Sequence, residues 1–517
     1  MLSINFSLMS LIKENNKYFQ KSIKIAKMLY NEHLYEDCIN QIEKSAQFAW
    51  LCFSGYYRSN ILENLLNTIG SEIIYKESSL IKKNTSDSFK ILHVCSTLYE
   101  TGGHTKLLFN WIENDQENDH SLVSTRLNEE ELLGLSRFYS KKIRETNLHS
   151  VSSFSKIDSA KKLNALLGKG YNLIVLHTHP DECLINLVFS NEQLEVPVYT
   201  VNHADHVFWL GASVTDILLQ IRESNIEIDK VRRQIKNQAF LPIPIQLEKL
   251  DVDSKAKDST QNLNLLSTGS YYKYLPDKEY NFLNEMILLV NNNPHVIVNI
   301  VGIEANSDYA KKYTHEQIVY HGLLNQYQLD QLENEIDIYV EGFPMPSFMS
   351  LLKPALKRIP FQLHYNPLFV YRLFNDDISA QIIYPKNRDQ WRKNIDKLIN
   401  DISYRNLVRQ KQFDSVNKSY HLSNWKLKLD DLYNVSKSII HTIKEINQEV
   451  YKDSIDEQKI VLLDNGVFIH HFKYTEKMNF FNKLLIYRLS LNKHTRISYN
   501  LNSGIKYYLM NKDTKFY

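Results

Sequence analysis

The sequence predicts an α/β protein built from two Rossmann-like, doubly wound units facing a cleft, with a helical extension before them and a small appendage after. Three observations carry this. Short apolar runs alternate with longer helical stretches over two tracts of the chain, 85–250 and 263–438. A polar segment, DVDSKAKDSTQN at 251–262, separates the tracts and has the composition of a linker. Before another polar segment, KKNTSDS at 82–88, small and apolar residues recur at helical spacing instead. At 517 residues, with 43% hydrophobic and 23% charged side chains, the chain can build several cores.

In chain order, residues 1–84 form the extension. IAKMLY at 25–30 and YEDCINQIEKSA at 35–46 make one tetratricopeptide-like hairpin, with no second clear copy. A lone hairpin cannot bury its own apolar face, so this one is expected to pack on a neighbouring domain or on a second chain. In 85–250 the runs ILHV (91–94), LIVL (173–176) and VPVYTV (196–201) read as parallel strands buried on both faces. In 263–438 the runs LNLLS (263–267), VIVNIV (296–301), IVYH (318–321), IDIYV (336–340) and PFQLH (360–364) repeat the pattern. A ligand is expected between the units, at the carboxyl ends of the strands. Residues 439–517 depart from it, with a hairpin suggested by KIVLL (459–463) and GVFIHH (466–471) and then basic sequence with scattered tyrosines.

Charge and cysteine usage narrow the function classes. The chain has 61 basic and 59 acidic side chains, a formal charge of +2, and no long basic stripe, which argues against nucleic acid as a partner. Cys38, Cys52, Cys95 and Cys183 lie far apart without C-x-x-C spacing, as expected for reduced thiols and not for a disulfide frame or zinc site. The apolar first twelve residues lack the basic flank of a signal peptide, and no stretch is apolar enough for a span, so a cytoplasmic protein is expected. The mixed apolar and basic stretch 479–493 suits peripheral contact with the inner face of a membrane, or simply packing on the protein.

Four polar loops follow the strand candidates. Gly102 and Gly103, after ILHV, either bring backbone amides close to an anion at a helix start or make a tight turn. His177, His179 and Asp181 follow LIVL and either face the cleft or cap a helix. His203, Asp205 and His206 follow VPVYTV; a metal site, a His–Asp pair for proton handling or sugar hydroxyls, and a structural loop all fit. In the second unit Gly269 and Ser270 permit a turn, and Lys273 is spaced to meet a diphosphate or to remain solvated. Glu341, Gly342, Phe343 and Ser347 lie in EGFPMPS, a loop that leads into a helix and can offer amides and hydroxyls to a phosphate, or merely stiffen a turn.

Together, in this order, these loops resemble the GT-B glycosyltransferases, most closely bacterial retaining, metal-independent enzymes that use nucleotide sugars. ILHVCSTLYETGGHT (91–105) looks like that family's opening strand and glycine loop, and VYTVNH (198–203) like its strand ending in histidine. LPIPI (241–245) is similar to the entry to the linker, and HLSNWK (421–426) to the start of the closing helix. The resemblance spans roughly residues 90–438. It implies a nucleotide-diphosphate sugar as co-substrate, with no further cofactor and no metal, and a glycan, a lipid-linked or a protein acceptor in surface polysaccharide or glycoconjugate assembly. Gly102 and Gly103 would approach the diphosphate, Lys273 would neutralise it, His203 would meet the transferred sugar, and Glu341 would contact sugar or nucleotide hydroxyls.

Two departures accompany the resemblance. Ser270 stands where the family commonly has arginine. Met349 occupies the helix position where a glutamate usually holds the ribose, and the next charge along, Lys353, has the opposite sign and could serve a phosphate instead. These departures keep a rival open, a catalytically silent GT-B subunit that stabilises a partner transferase through the helical hairpin. A dinucleotide-dependent oxidoreductase is set aside, because no G-x-G-x-x-G follows either first strand.

Overall fold

A computed structural model of the chain describes residues 2–75, 81–85, 88–99, 103–139, 143–245, 263–276, 279–367 and 372–445. Gly102, the linker 251–262, the 479–493 stretch and the suggested hairpin at 459–471 lie outside the described residues.

The extension is three helices, α1 (Leu2–Asn31), α2 (Tyr35–Leu51) and α3 (Asn60–Ile73). The first two form the expected hairpin, turning at His33, which adopts a left-handed φ of 56°. Among the described residues, their apolar face packs on the first α/β domain. Phe19, Ile39, Ile42, Leu62 and Leu66 run into the same core as Leu184, Leu187 and Phe208 of the first α/β domain. Carboxylates fix the docking. Glu36 takes the backbone N–H of Lys156 (2.6 Å) and Ile157 (3.1 Å), satisfying the start of a helix, while buried Glu63 takes those of Ala212 and Ser213.

The first domain is a seven-stranded parallel sheet ordered β3-β2-β1-β4-β5-β6-β7. Its strands are β1 (Lys90–Cys95), β2 (Asp119–Ser124), β3 (Leu148–Ser150), β4 (Leu173–His177), β5 (Val198–Val201), β6 (Ile217–Gln220) and β7 (Gln238–Phe240). Helices α4 (Gly103–Asn114), α5 (Glu129–Tyr139), α6 (Lys156–Leu167), α7 (Leu184–Phe189) and α8 (Ile226–Arg232) connect them. The sheet reverses order between β1 and β4, and there strand ends open a crevice.

The second domain repeats the plan with five parallel strands ordered β10-β9-β8-β11-β12. They are β8 (Leu263–Thr268), β9 (Val296–Val301), β10 (Ile318–Tyr320), β11 (Ile338–Val340) and β12 (Phe361–Gln362), so the switch point falls between β8 and β11. Helices α9 (Phe282–Asn292), α10 (Asp308–Lys312), α11 (Gln326–Glu333), α12 (Phe348–Leu356), α13 (Arg388–Asn400) and α14 (Ile402–Tyr420) surround it.

A closing helix, α15 (Leu422–Ser438), returns to the first domain. Trp425 meets Trp111 of α4 edge-on at 6.2 Å, and Trp111 donates to the hydroxyl of Tyr433 at 2.6 Å. Lys83 ends this helix by donating to the carbonyls of Ser436 (3.0 Å) and Ile439 (2.5 Å), where the helix dipole favours a cation. The first described residues of the appendage continue onto the first domain, His441 bonding Asp216 at 2.7 Å. No described helix is long and apolar enough to cross a membrane.

Candidate functional site

Two polar constellations occupy the strand ends. In the first domain, the fully buried strand β5 delivers Asn202 and His203 to a small pocket that Thr178, His179 and Trp209 also line. Among the described residues, Asn202 Oδ1, His203 Nδ1 and Trp209 Nε1 are buried without hydrogen-bond partners. Three unsatisfied polar atoms around one pocket are costly in an empty fold and suit a hydrogen-bonding ligand.

The glycine loop joins this site. Gly103 begins α4, and the next residue, His104, stacks on His203 with centroids 5.3 Å apart and planes 22° apart. His104 Nε2 lies 3.3 Å from the Thr97 carbonyl, which fixes its N–H there. Tyr99 stacks over His179 at 5.9 Å, and Trp50 from α2 meets His179 edge-on at 6.0 Å, so the extension reaches the pocket rim. Burial lowers the pKa of His203 to about 3, with His104 and His179 adding to the effect, and burial lowers that of His179 to about 4. At neutral pH both rings are therefore uncharged.

The neighbouring carboxylates hold the protein together. Asp205 is buried against Arg222 (Nε to Oδ2, 2.9 Å) and Asn225; burial alone would raise its pKa, but Arg222 and His206 push it well below the usual carboxylate range. It is thus taken by arginine, which removes it from a metal site with His203 and His206, while His206 stays partly exposed at 3.2 Å from it. Among the described residues no group of three His, Cys, Asp or Glu side chains is placed to hold a metal ion. Asp181, expected at the cleft, is 1% exposed and bonds Arg126 (2.8 Å) and Gln47 of α2 (2.5 Å). It locks the extension to the domain. His177 is likewise buried, against His93.

The second domain brings together Gly269, Ser270, Lys273, Gly342 and Ser347. Here the chain is crowded enough that glycine is required. A Cβ on Gly302, where φ is +101°, would lie 1.8 Å from the Gly269 carbonyl oxygen, and one on Gly342 would lie 2.6 Å from the Tyr274 ring. Lys273 crosses this cradle, donating to Ser347 Oγ at 3.1 Å and lying 3.5 Å from the Pro346 carbonyl. Ser347 is the N-cap of α12, so the ammonium sits at that helix's positive end. Burial lowers the Lys273 pKa, and among the described residues no carboxylate pairs with it. A desolvated cation beside helix amides is an arrangement that an anion stabilises.

Glu341, 1% exposed at the end of β11, accepts the backbone N–H of His364 on Oε2 at 2.9 Å. Its Oε1 is buried with no partner among the described residues, and burial pushes its pKa up to about 8. Phe343, expected to touch the donor, has its ring packed inside the domain against Phe282, His364 and Trp391, since an apolar ring gains more there than in a wet cradle. Lys353 does not reach toward a phosphate: it pairs with Asp330 and lies 4.0 Å from Glu333, both on α11. Met349 packs its side chain on the second domain's apolar core.

Arg222, which sequence reasoning missed, connects the constellations. Besides holding Asp205, its guanidinium lies 5.1 Å from the ring of Phe348, the first residue of α12, and donates to the Arg372 carbonyl at 2.9 Å. The loop bearing His203 and the helix start bearing Ser347 are thus tied across the domain boundary.

No protein-family model matches the chain, and no curated protein does. Among solved structures, a chain of the GtfA/B complex superposes with a TM-score of 0.51 at 9% identity, covering 68% of this chain and 100% of that one. An O-GlcNAc transferase variant from Thermobaculum terrenum gives 0.46 at 11% identity, with 81% and 84% covered. TarM from S. aureus gives 0.46 at 11% identity, with 67% and 100% covered. Together with the two facing parallel sheets and the returning helix, the first of these likenesses establishes the GT-B fold.

Proposed function

We propose that the protein is a glycosyltransferase that moves a sugar from a nucleotide-diphosphate donor to an acceptor hydroxyl in surface polysaccharide or glycoconjugate assembly, with retention of configuration and without a metal. Lys273 carries this reading: its half-buried ammonium, held on Ser347 at the start of α12, is the cation for a diphosphate. Glycines 269, 302 and 342 let the backbone segments and the Tyr274 ring pack closely around it. As the nucleotide leaves, the negative charge growing on its phosphate is stabilised by Lys273 and the first amides of α12, an electrostatic form of catalysis. The free Oε1 of Glu341 takes a sugar or nucleotide hydroxyl, and His203 and Asn202 receive the transferred sugar from the other side. The acceptor, a glycan, lipid-linked or protein group, enters on the first domain. This is work for a cytoplasmic protein at or near the inner membrane face.

The silent-subunit reading rests on a specific observation too. Lys353 is neutralised by α11 and Met349 is turned to the core, so neither replaces the missing ribose-binding carboxylate. Calorimetry against a panel of nucleotide sugars and free nucleotides decides between the two. A transferase binds one donor selectively and binds it about tenfold to a hundredfold more weakly in Lys273→Ala; a folded chain that binds none favours the silent subunit.

A further inference from the structure

Behind the first-domain pocket, buried imidazoles run diagonally across the sheet. In the parallel register His177 lies opposite Cys95, two residues beyond His93, and His120 lies opposite Ile91, two residues before it. Steps of two keep all three side chains on one face. His177 Nε2 is 3.1 Å from His93 Nδ1, and His93 Nε2 is 2.9 Å from His120 Nδ1. At the far end His120 Nε2 meets the Asp115 carbonyl at 3.0 Å and its carboxylate at 3.3 Å. That carboxylate also accepts from Asn118 and from Tyr433 of α15. At the near end His177 Nδ1 has no partner among the described residues, and the imidazoles beside that ring are His203 and His104.

Protons on this line can be ordered in two ways. A carbonyl oxygen only accepts, so His120 Nε2 carries a hydrogen in both. With His120 neutral, its Nδ1 takes the Nε2–H of His93, the Nδ1 of His93 takes the Nε2–H of His177, and His177 offers a lone pair at Nδ1. With His120 an imidazolium, each bond reverses and His177 Nδ1 carries the hydrogen. The states differ by one proton, and its charge appears only at His120, against Asp115. Burial disfavours charge on His93 and His177.

We propose that Asp115, His120, His93 and His177 form a proton relay serving the first-domain pocket. A hydroxyl on the His203–His104 side of His177 gives its proton to Nδ1; the O–H bond breaks, the N–H bond forms, and oxygen keeps the electron pair. The Nε2 proton of His177 passes to His93 Nδ1, and the Nε2 proton of His93 passes to His120 Nδ1. The positive charge comes to rest beside the Asp115 carboxylate. The ionisable groups facing the line include Cys95, Asp115, Tyr433, His104 and His203, and Trp111 walls it 5.5 Å from His93. That the hydroxyl belongs to a glycosyl acceptor rests on the transferase reading; the relay does not.

The test is a pH titration of the full chain labelled with ¹⁵N-histidine, reading ring nitrogens by NMR, with His177→Gln and His120→Gln used for assignment. As pH falls, His120 is expected to gain its second N–H while His93 and His177 move their single hydrogens from Nε2 to Nδ1 at the same midpoint. In His93→Phe, His177 stops following His120. A His177 that keeps its tautomer through the His120 transition, that becomes an imidazolium itself, or that still follows in His93→Phe overturns the relay. Should His93→Phe not fold by near-ultraviolet circular dichroism, the wild-type titration alone decides. No substrate is present, so loss of the relay and loss of the transferase reading are read separately.

Discussion

The two constellations occupy equivalent places, the carboxyl ends of parallel strands at a switch point, yet their chemistry is opposite. The first-domain pocket is walled by imidazoles that burial keeps neutral, and it offers unsatisfied groups on Asn202, His203 and Trp209. The second-domain cradle offers glycine backbone, a helix N-terminus and the ammonium of Lys273. One suits neutral hydroxylated matter and the other suits phosphate. The fold supplies the location, and local burial and charge decide what can bind there.

The sharpest way to break this contrast is to fill the cradle. Gly302→Val places a side chain on the Gly269 carbonyl in a left-handed conformation, and a loss of roughly 3 kcal/mol or more is expected. Thermal unfolding should show the second domain melting early, with nucleotide binding gone. Lys273→Ala should keep the fold and weaken nucleotide binding by about tenfold to a hundredfold, roughly 1.4–2.7 kcal/mol by calorimetry; unchanged affinity would detach the cradle from phosphate.

Glu341 gives a pH test with a definite sign. Its folded pKa, about 8, lies above the unfolded value of 4.5, so its contribution to stability is fully present below 4.5 and lost as pH rises to about 8. The slope approaches about 1.4 kcal/mol per pH unit. The first-domain His203 has the reverse sign: its depressed pKa, about 3, stabilises above 6.5, and that contribution is lost as pH falls towards 3. Melting temperatures of Glu341→Gln across this range should lack the alkaline decline and keep the acid one. The smallest effect is expected for Lys353→Met, which breaks a partly exposed pair with Asp330 and should cost about 1 kcal/mol or less, with nucleotide affinity unchanged.

Much of the architecture was legible because strands buried on both faces are continuous apolar runs, as in β1, β4 and β9. Strands β2, β3, β6 and β7 were missed: DHSLVS, LHS and QAF are short or polar, ILLQ is an apolar run of only three residues before a glutamine, and pairing in the sheet makes them strands. Loops bearing Lys273, Glu341 and His203 were legible as strand ends followed by polar residues. Their partners were not. Arg222 finds Asp205, Asp181 finds Arg126, and His93 finds His120 through the fold, across separations that carry no local signal. The hairpin's apolar stripe announced that something covers it, but not that the cover is Phe208 and α7 of the same chain.

The division of labour between the two sites is tested most directly by titrating a donor nucleotide into the wild type, Lys273→Ala and His203→Ala by calorimetry. The account predicts that Lys273→Ala binds the nucleotide about tenfold to a hundredfold more weakly while His203→Ala binds it as the wild type does. Nucleotide affinity unchanged in Lys273→Ala and lost in His203→Ala would contradict it.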